Sequence, residues 1–97
     1  MHGSELRFEW DRHKSEANRS KHGITFKEAA TVFADERAIV IPDPDHSDLE
    51  DRFVILGMSW SLRLLVVCHC YRRQSSAIRI ISARRATKSE RAQYPVD

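Results

Sequence analysis

Leu6, Phe8 and Trp10 alternate with Arg7 and Glu9, the period of a half-buried strand. Asp11 follows as a helix N-cap, and residues 12–22 read as a surface helix in which only Ala17 is clearly apolar. His22-Gly23 closes that helix, since glycine accepts the left-handed conformation found one residue past a helix end. Thr25-Phe26-Lys27-Glu28 reads as a capping box, with Ile24 and Ala29 as a weak hydrophobic staple. Phe26, Ala29, Ala30 and Phe33 then recur at helical spacing, so this second helix is the one that buries a face.

Ala38 to Ile41 is a short apolar strand ended by Pro42-Asp43-Pro44-Asp45, and residues 42–51 form an acidic loop. Three strand patterns follow: Arg52 to Trp60, Arg63 to Arg72, and Ala77 to about Arg84. The gaps between them are short enough to demand antiparallel neighbours. Leu64 to Cys68 is almost unbroken in apolar residues, which places that strand at the centre of the sheet. Thr87-Lys88-Ser89-Glu90 is another capping box, opening a short last helix that Pro95 stops. The order β-α-α-β-β-β-β-α predicts one α+β domain over residues 1–97: a twisted antiparallel sheet with the helical pair on one face and a short C-terminal helix at the other face or an edge.

Composition adds little until charge is followed along the chain. The 97 residues are 41% hydrophobic and 31% charged, which is ordinary for a globular protein. No run has the roughly 18 apolar residues of a membrane span, and Met1 to Trp10 has no signal-peptide core, so the expectation is a cytoplasmic protein off the membrane. Cys68 and Cys70 are too close in sequence for an unstrained bridge and read as reduced thiols. Residues 1–51 hold 7 Lys and Arg against 12 Asp and Glu, a balance of −5. Residues 52–97 hold 9 against 2, a balance of +7. Eight of those nine cations are arginine, whose planar fork matches phosphate oxygens. The skew points to nucleic acid or to an acidic partner; its plain alternative is a solvated arginine face.

Cleavage of RNA by its own 2′-hydroxyl needs a proton acceptor, a proton donor and cations that neutralise the phosphorane. His69 is the one side chain of the predicted sheet that titrates near neutrality, so it is the candidate acid or base. Arg72, Arg79 and Arg84 are the candidate catalytic cations, and Tyr71 could stack on a base. Arg85, Lys88 and Tyr94 are candidate substrate contacts. Each has a plainer reading: a core position for His69, solvated surface for Arg85 and Lys88, packing for Tyr94. Arg79 inside Ile78–Ile81 is harder to dismiss, because a charge in a buried strand is expensive unless paired or facing a cleft. If residue 71 pairs with 79, then His69, Tyr71 and Arg79 share a face, and Arg84 joins them only if a bulge or the strand end near Ala83 turns it toward the cleft. If 72 pairs with 77, Arg79 lies beside Cys70. The first register gathers the polar groups and is the expected one. The loop Asp43 to Asp51 lacks the offsets of a calcium or zinc site, and on a strand Cys68 and Cys70 point away from His69, so no metal is expected.

Phe8-Glu9-Trp10-Asp11, then Lys21 to Phe26, Glu28-Ala29-Ala30 and Val32-Phe33, resemble the opening of the BrnT toxin family. Asp43 to Ser47, Arg52 to Gly57 and Leu64 to Val67 are similar to its middle. Arg79 to Thr87 with Glu90-Arg91 and Tyr94 resemble its C-terminal signature. The resemblance implies a RelE-like fold and a ribonuclease that stops translation, working through basic residues without metal or cofactor. It also implies a bacterial type II toxin held in a hetero-oligomer by a BrnA-type, DNA-binding antitoxin. The chain departs from the family at Arg85, where lysine is frequent, and in the turn Arg73-Gln74-Ser75-Ser76, which lacks the usual Asp and Gly. A non-catalytic module docking nucleic acid or an acidic partner is the alternative reading.

Overall fold

The computed structural model describes residues 6–43, 52–72, 74 and 76–96. Asp11 caps the first helix α1 (Arg12–His22), its carboxylate accepting from the Lys14 N–H at 2.9 Å. Gly23 ends the helix at φ 71°, a conformation that glycine takes without Cβ strain. The next helix, α2 (Phe26–Thr31), runs into a tight turn at Val32–Ala34. Thr25 Oγ1 accepts from the Glu28 N–H as the capping pattern predicts. The Glu28 carboxylate, however, does not reach back to Thr25. It turns to the segment 59–63, where Arg63 and the Ser59 hydroxyl donate to it. A charged hydrogen bond from arginine outcompetes the reciprocal cap.

The strands are β1 (Phe8–Glu9), β2 (Ile39–Pro42), β3 (Arg52–Met58), β4 (Leu64–Arg72) and β5 (Ala77–Arg85), and the last helix is α3 (Lys88–Gln93). They form one sheet in the order β1-β5-β4-β3-β2, with β4 central as its apolar run requires. The four long strands are antiparallel neighbours, while the two-residue β1 lies parallel to β5. Ile24, Phe26, Ala29 and Val32 from the helical side meet Ile55, Leu65, Val67, Ile80 and Ala83 in the main core. The other sheet face carries Leu56, Leu64 and Val66 under Ala86 and Tyr94, so the C-terminal segment covers only part of it. At Thr87 the capping box is complete in both directions.

The β4–β5 register is the second of the two alternatives: Arg72 pairs with Ala77, Tyr71 with Ile78 and Cys70 with Arg79. The expected pairing of 71 with 79 is therefore corrected. It would have turned Arg79 into the helical core and Ile78 and Ile80 outward, whereas the observed register buries both isoleucines, 7% and 1% exposed. A bulge then interrupts the ladder, because Cys68 pairs with Ser82 but His69 with Ile80, leaving Ile81 as the extra residue.

Candidate anion-binding face

Register and alternation place the arginines. Cross-strand pairs share a face, so Glu9, Arg79, Cys70 and Arg52 form one row across β1, β5, β4 and β3. Two residues along, Ile41, Val54, Cys68 and Ser82 form the next row, and Ile39, Leu56, Val66 and Arg84 the one after. These rows all lie on the face turned away from α2. Without the bulge Arg79 and Arg84, five residues apart, would point to opposite sides; the extra residue Ile81 brings both onto this face. Arg72, two residues beyond Cys70, stands there too. The face thus collects Arg52, Arg72, Arg79 and Arg84 from three strands.

Three of the four are held by carboxylates. Arg79 donates to Glu9 Oε2 at 3.0 Å, and Arg72 Nε lies 4.0 Å from the same oxygen. Arg84 grips Glu90 of α3 with both terminal nitrogens at 2.8 Å, the fork geometry a carboxylate shares with a phosphate. The Arg84 guanidinium draws the Glu90 carboxyl down to about 2, and Glu90 in turn raises the arginine. A hollow of about 290 Å³ opens on this face between Arg52, Arg84, Asp43 and the bulge residues Ile81 and Ser82. Cys68 is at its floor. Burial, reinforced by a 3.3 Å hydrogen bond to Asp43 Oδ2, pushes its thiol up to about 12, so it is a donor and no nucleophile.

His69 does not belong to this face. It is fully buried on the helical side, 4.8 Å from the Phe33 ring and between the rings of Phe53 and Tyr71. Nδ1 donates to the Val67 carbonyl at 3.1 Å, and Nε2 meets no hydrogen-bond partner among the described residues. Burial lowers its pKa, which keeps the ring neutral. Tyr71 shares that side at the exposed end of β4, packed 5.4 Å from Phe53. Arg85 lies in a separate hollow of about 440 Å³ with Arg63, Arg91 and Tyr94. Tyr94 is pinned there, its hydroxyl donating to Asp35 Oδ2 at 2.6 Å. Lys88 is exposed at the start of α3. Of the eight residues singled out by sequence, Arg72, Arg79 and Arg84 come together and the others do not. Arg52 and Glu9 complete the row, and only the register reveals them. The acidic loop lies outside the described residues except for Asp43.

An α+β fold with four arginines on one face of its sheet, beside a thiol that stays protonated near neutrality, offers fixed positive charge to an anion. The matches to known proteins narrow this. The chain belongs to the family described as ribonuclease toxin, BrnT, of type II toxin–antitoxin systems, whose model matches residues 10–90. It is also similar to the 1.1 Å crystal structure of the Brucella abortus ribonuclease toxin BrnT, at 26% identity and a TM-score of 0.67, over 87% of this chain and all of that one. No curated protein sequence matches it. The protein is thus a ribonuclease toxin of a type II pair, and an antitoxin is its partner. Among the described residues no helix is long and apolar enough to cross a membrane.

Proposed function

We propose that the toxin cleaves RNA on the face of Arg52, Arg72, Arg79 and Arg84, without metal. The observation that carries this reading is the bulge at Ile81, which brings Arg79 and Arg84 to one side of β5. The 2′-hydroxyl gives up its proton to water and attacks the adjacent phosphorus, the bond to the 5′-oxygen breaks, that oxygen takes a proton from water, and a 2′,3′-cyclic phosphate remains. The guanidinium groups stabilise the charge that builds on the phosphorane oxygens, an electrostatic role that preorganised cations fill well. They act as fixed cations and exchange no proton themselves. His69 takes no part. Tyr71, Arg85, Lys88 and Tyr94 stand outside the clamp.

The fold is read as RelE-like and the partner as a BrnA-type antitoxin that binds DNA and covers the toxin in a cytoplasmic, bacterial hetero-oligomer. The test uses purified toxin freed of antitoxin and washed with EDTA. RNA is expected to be cut, leaving cyclic phosphate ends, with Arg79→Ala and Arg84→Ala each at least about tenfold slower. Cleavage abolished by EDTA, or untouched by either substitution, removes the reading.

A further inference from the structure

The helix α1 has more charge than a solvated surface helix needs. It holds Arg12, Lys14, Arg19 and Lys21 against one carboxylate, Glu16, together with His13 and His22. Glu16 lies 3.9 Å from Arg12, with both side chains well exposed, while Lys14 and Lys21 have no ion partner among the described residues. Lys14, Ala17 and Lys21 fall at i, i+3 and i+7, one stripe of the helix. Its single apolar member is small, unlike the aromatic and aliphatic centre of a protein–protein contact.

This stripe is fixed relative to the arginine face. Among the described residues the outer edge of β5 has no strand partner beyond Arg79, and Asn18 takes that place. Its Nδ2 donates to the Ala83 carbonyl at 2.8 Å, its Oδ1 accepts from the Ala83 N–H at 3.0 Å, and Nδ2 also donates to the Ile24 carbonyl. The amide mimics a missing strand and welds α1 to β5. As a result, a further hollow of about 230 Å³ opens between Lys14, Lys21, His22 and the bulge residues Ile81 and Ser82. The same two residues line the arginine hollow. The bulge is therefore a saddle between the two, with arginines on one side and unpaired lysines on the other.

We infer that single-stranded RNA runs over this saddle, with Lys14 and Lys21 holding phosphates that flank the one cleaved on the arginine face. The inference rests on the proposed cleavage site and extends it to a path. Lysine suits the flanking role: a flexible point charge tolerates many backbone geometries, whereas bidentate arginine fixes one.

The test compares K14E/K21E with R12E/R19E, which makes the same charge change on another stripe of the same helix. Affinity is read by fluorescence anisotropy with a 15-nucleotide RNA and with a trinucleotide, across salt concentrations, after circular dichroism shows both variants folded. Expected for K14E/K21E is a loss of about tenfold on the longer RNA. Its log–log salt slope should also be shallower by about 1.4, for two contacts on a single strand. R12E/R19E should lose less than half as much in logarithmic terms, and the trinucleotide should bind all three proteins alike. Equal losses in the two variants would reduce the effect to net charge and overturn the path. So would an unchanged affinity for the longer RNA. A toxin that binds RNA along the stripe but cuts none would instead refute the cleavage reading while the path stands.

Discussion

Arg79 and Arg84 stand on the same face of β5 although they lie five positions apart, and the bulge at Ile81 is the cause. The two are anchored to different ends of the chain, Arg79 to Glu9 of β1 and Arg84 to Glu90 of α3. The positions of the two guanidinium groups are thus set by the N-terminal strand and the C-terminal helix together.

Geometry at Arg84 makes a first prediction. Replacing it by lysine keeps the charge but loses the fork that grips both Glu90 oxygens. Cleavage by Arg84→Lys should drop about tenfold or more, with stability changed by only about 1 kcal/mol, since the pair is partly exposed. Activity close to the parent would mean that charge alone suffices at this position.

His69 supplies a pH dependence. Its folded pKa lies below the ordinary 6.5 because the ring is buried, so below that pH the unfolded chain takes up a proton that the native one refuses. Stability should be flat above 6.5 and fall as pH drops beneath it, with a limiting slope of about 1.4 kcal/mol per pH unit. The slope appears before Glu28 and Glu90 begin to matter, since each ordinarily titrates at 4.5 and is held near 2 in the fold. Urea unfolding from pH 7 to 5 measures it, and His69→Leu should remove it. An unchanged slope in that variant would assign the effect elsewhere.

The elements were legible because their signals are local. Asp11, Gly23 and Thr87 mark helix ends by side-chain chemistry, and the apolar run Leu64 to Cys68 marks the central strand. The site was less legible because it depends on register. Shifting the pairing by one residue exchanges the faces of Arg79 and Ile80, and the turn at residues 73–76 carries no Asn-Gly or Asp-Gly signal to fix it. Polar grouping favoured the wrong register. Burial of Ile78 and Ile80 decides it, and that preference could have been weighed from the sequence. A bulge was conceivable near Ala83, but its position at Ile81 could not be read, nor the use of Asn18 as a strand substitute, since both answer to neighbours distant in sequence.

Glu28 ties α2 to the β3–β4 hairpin. Arg63 and the hydroxyls of Ser59 and Ser61 donate to its carboxylate, and the Arg63 bond is the main cause of a pKa lowered to about 2. Glu28→Ala would leave those donors without their acceptor in a largely buried place, and should cost about 3 kcal/mol. For a chain of this length that is a fall in Tm of more than about 10 °C. A fall of only a degree or two would show that water replaces the carboxylate at little cost.

Gly57 yields the sharpest test of packing. It lies in β3 where the strand passes the turn after α2, and a Cβ there would come within 3.1 Å of Ala38 Cβ and 3.2 Å of both Val32 Cβ and the Val32 carbonyl oxygen. None of these atoms can swing aside, since each is backbone or is bonded directly to it. Overpacking of this kind costs about 1–3 kcal/mol. Against it stands the entropy that alanine removes from the unfolded chain, worth about 0.4–1 kcal/mol in favour of folding. The steric cost wins, so Gly57→Ala should destabilise by about 1–2 kcal/mol. Cleavage at a temperature where the variant remains folded should match the parent, because Gly57 pairs with Leu65 on the helical side and not with the arginine rows. A variant as stable as the parent would mean that the Val32–Ala34 turn can move off β3, and with it the support beneath Phe33 and His69.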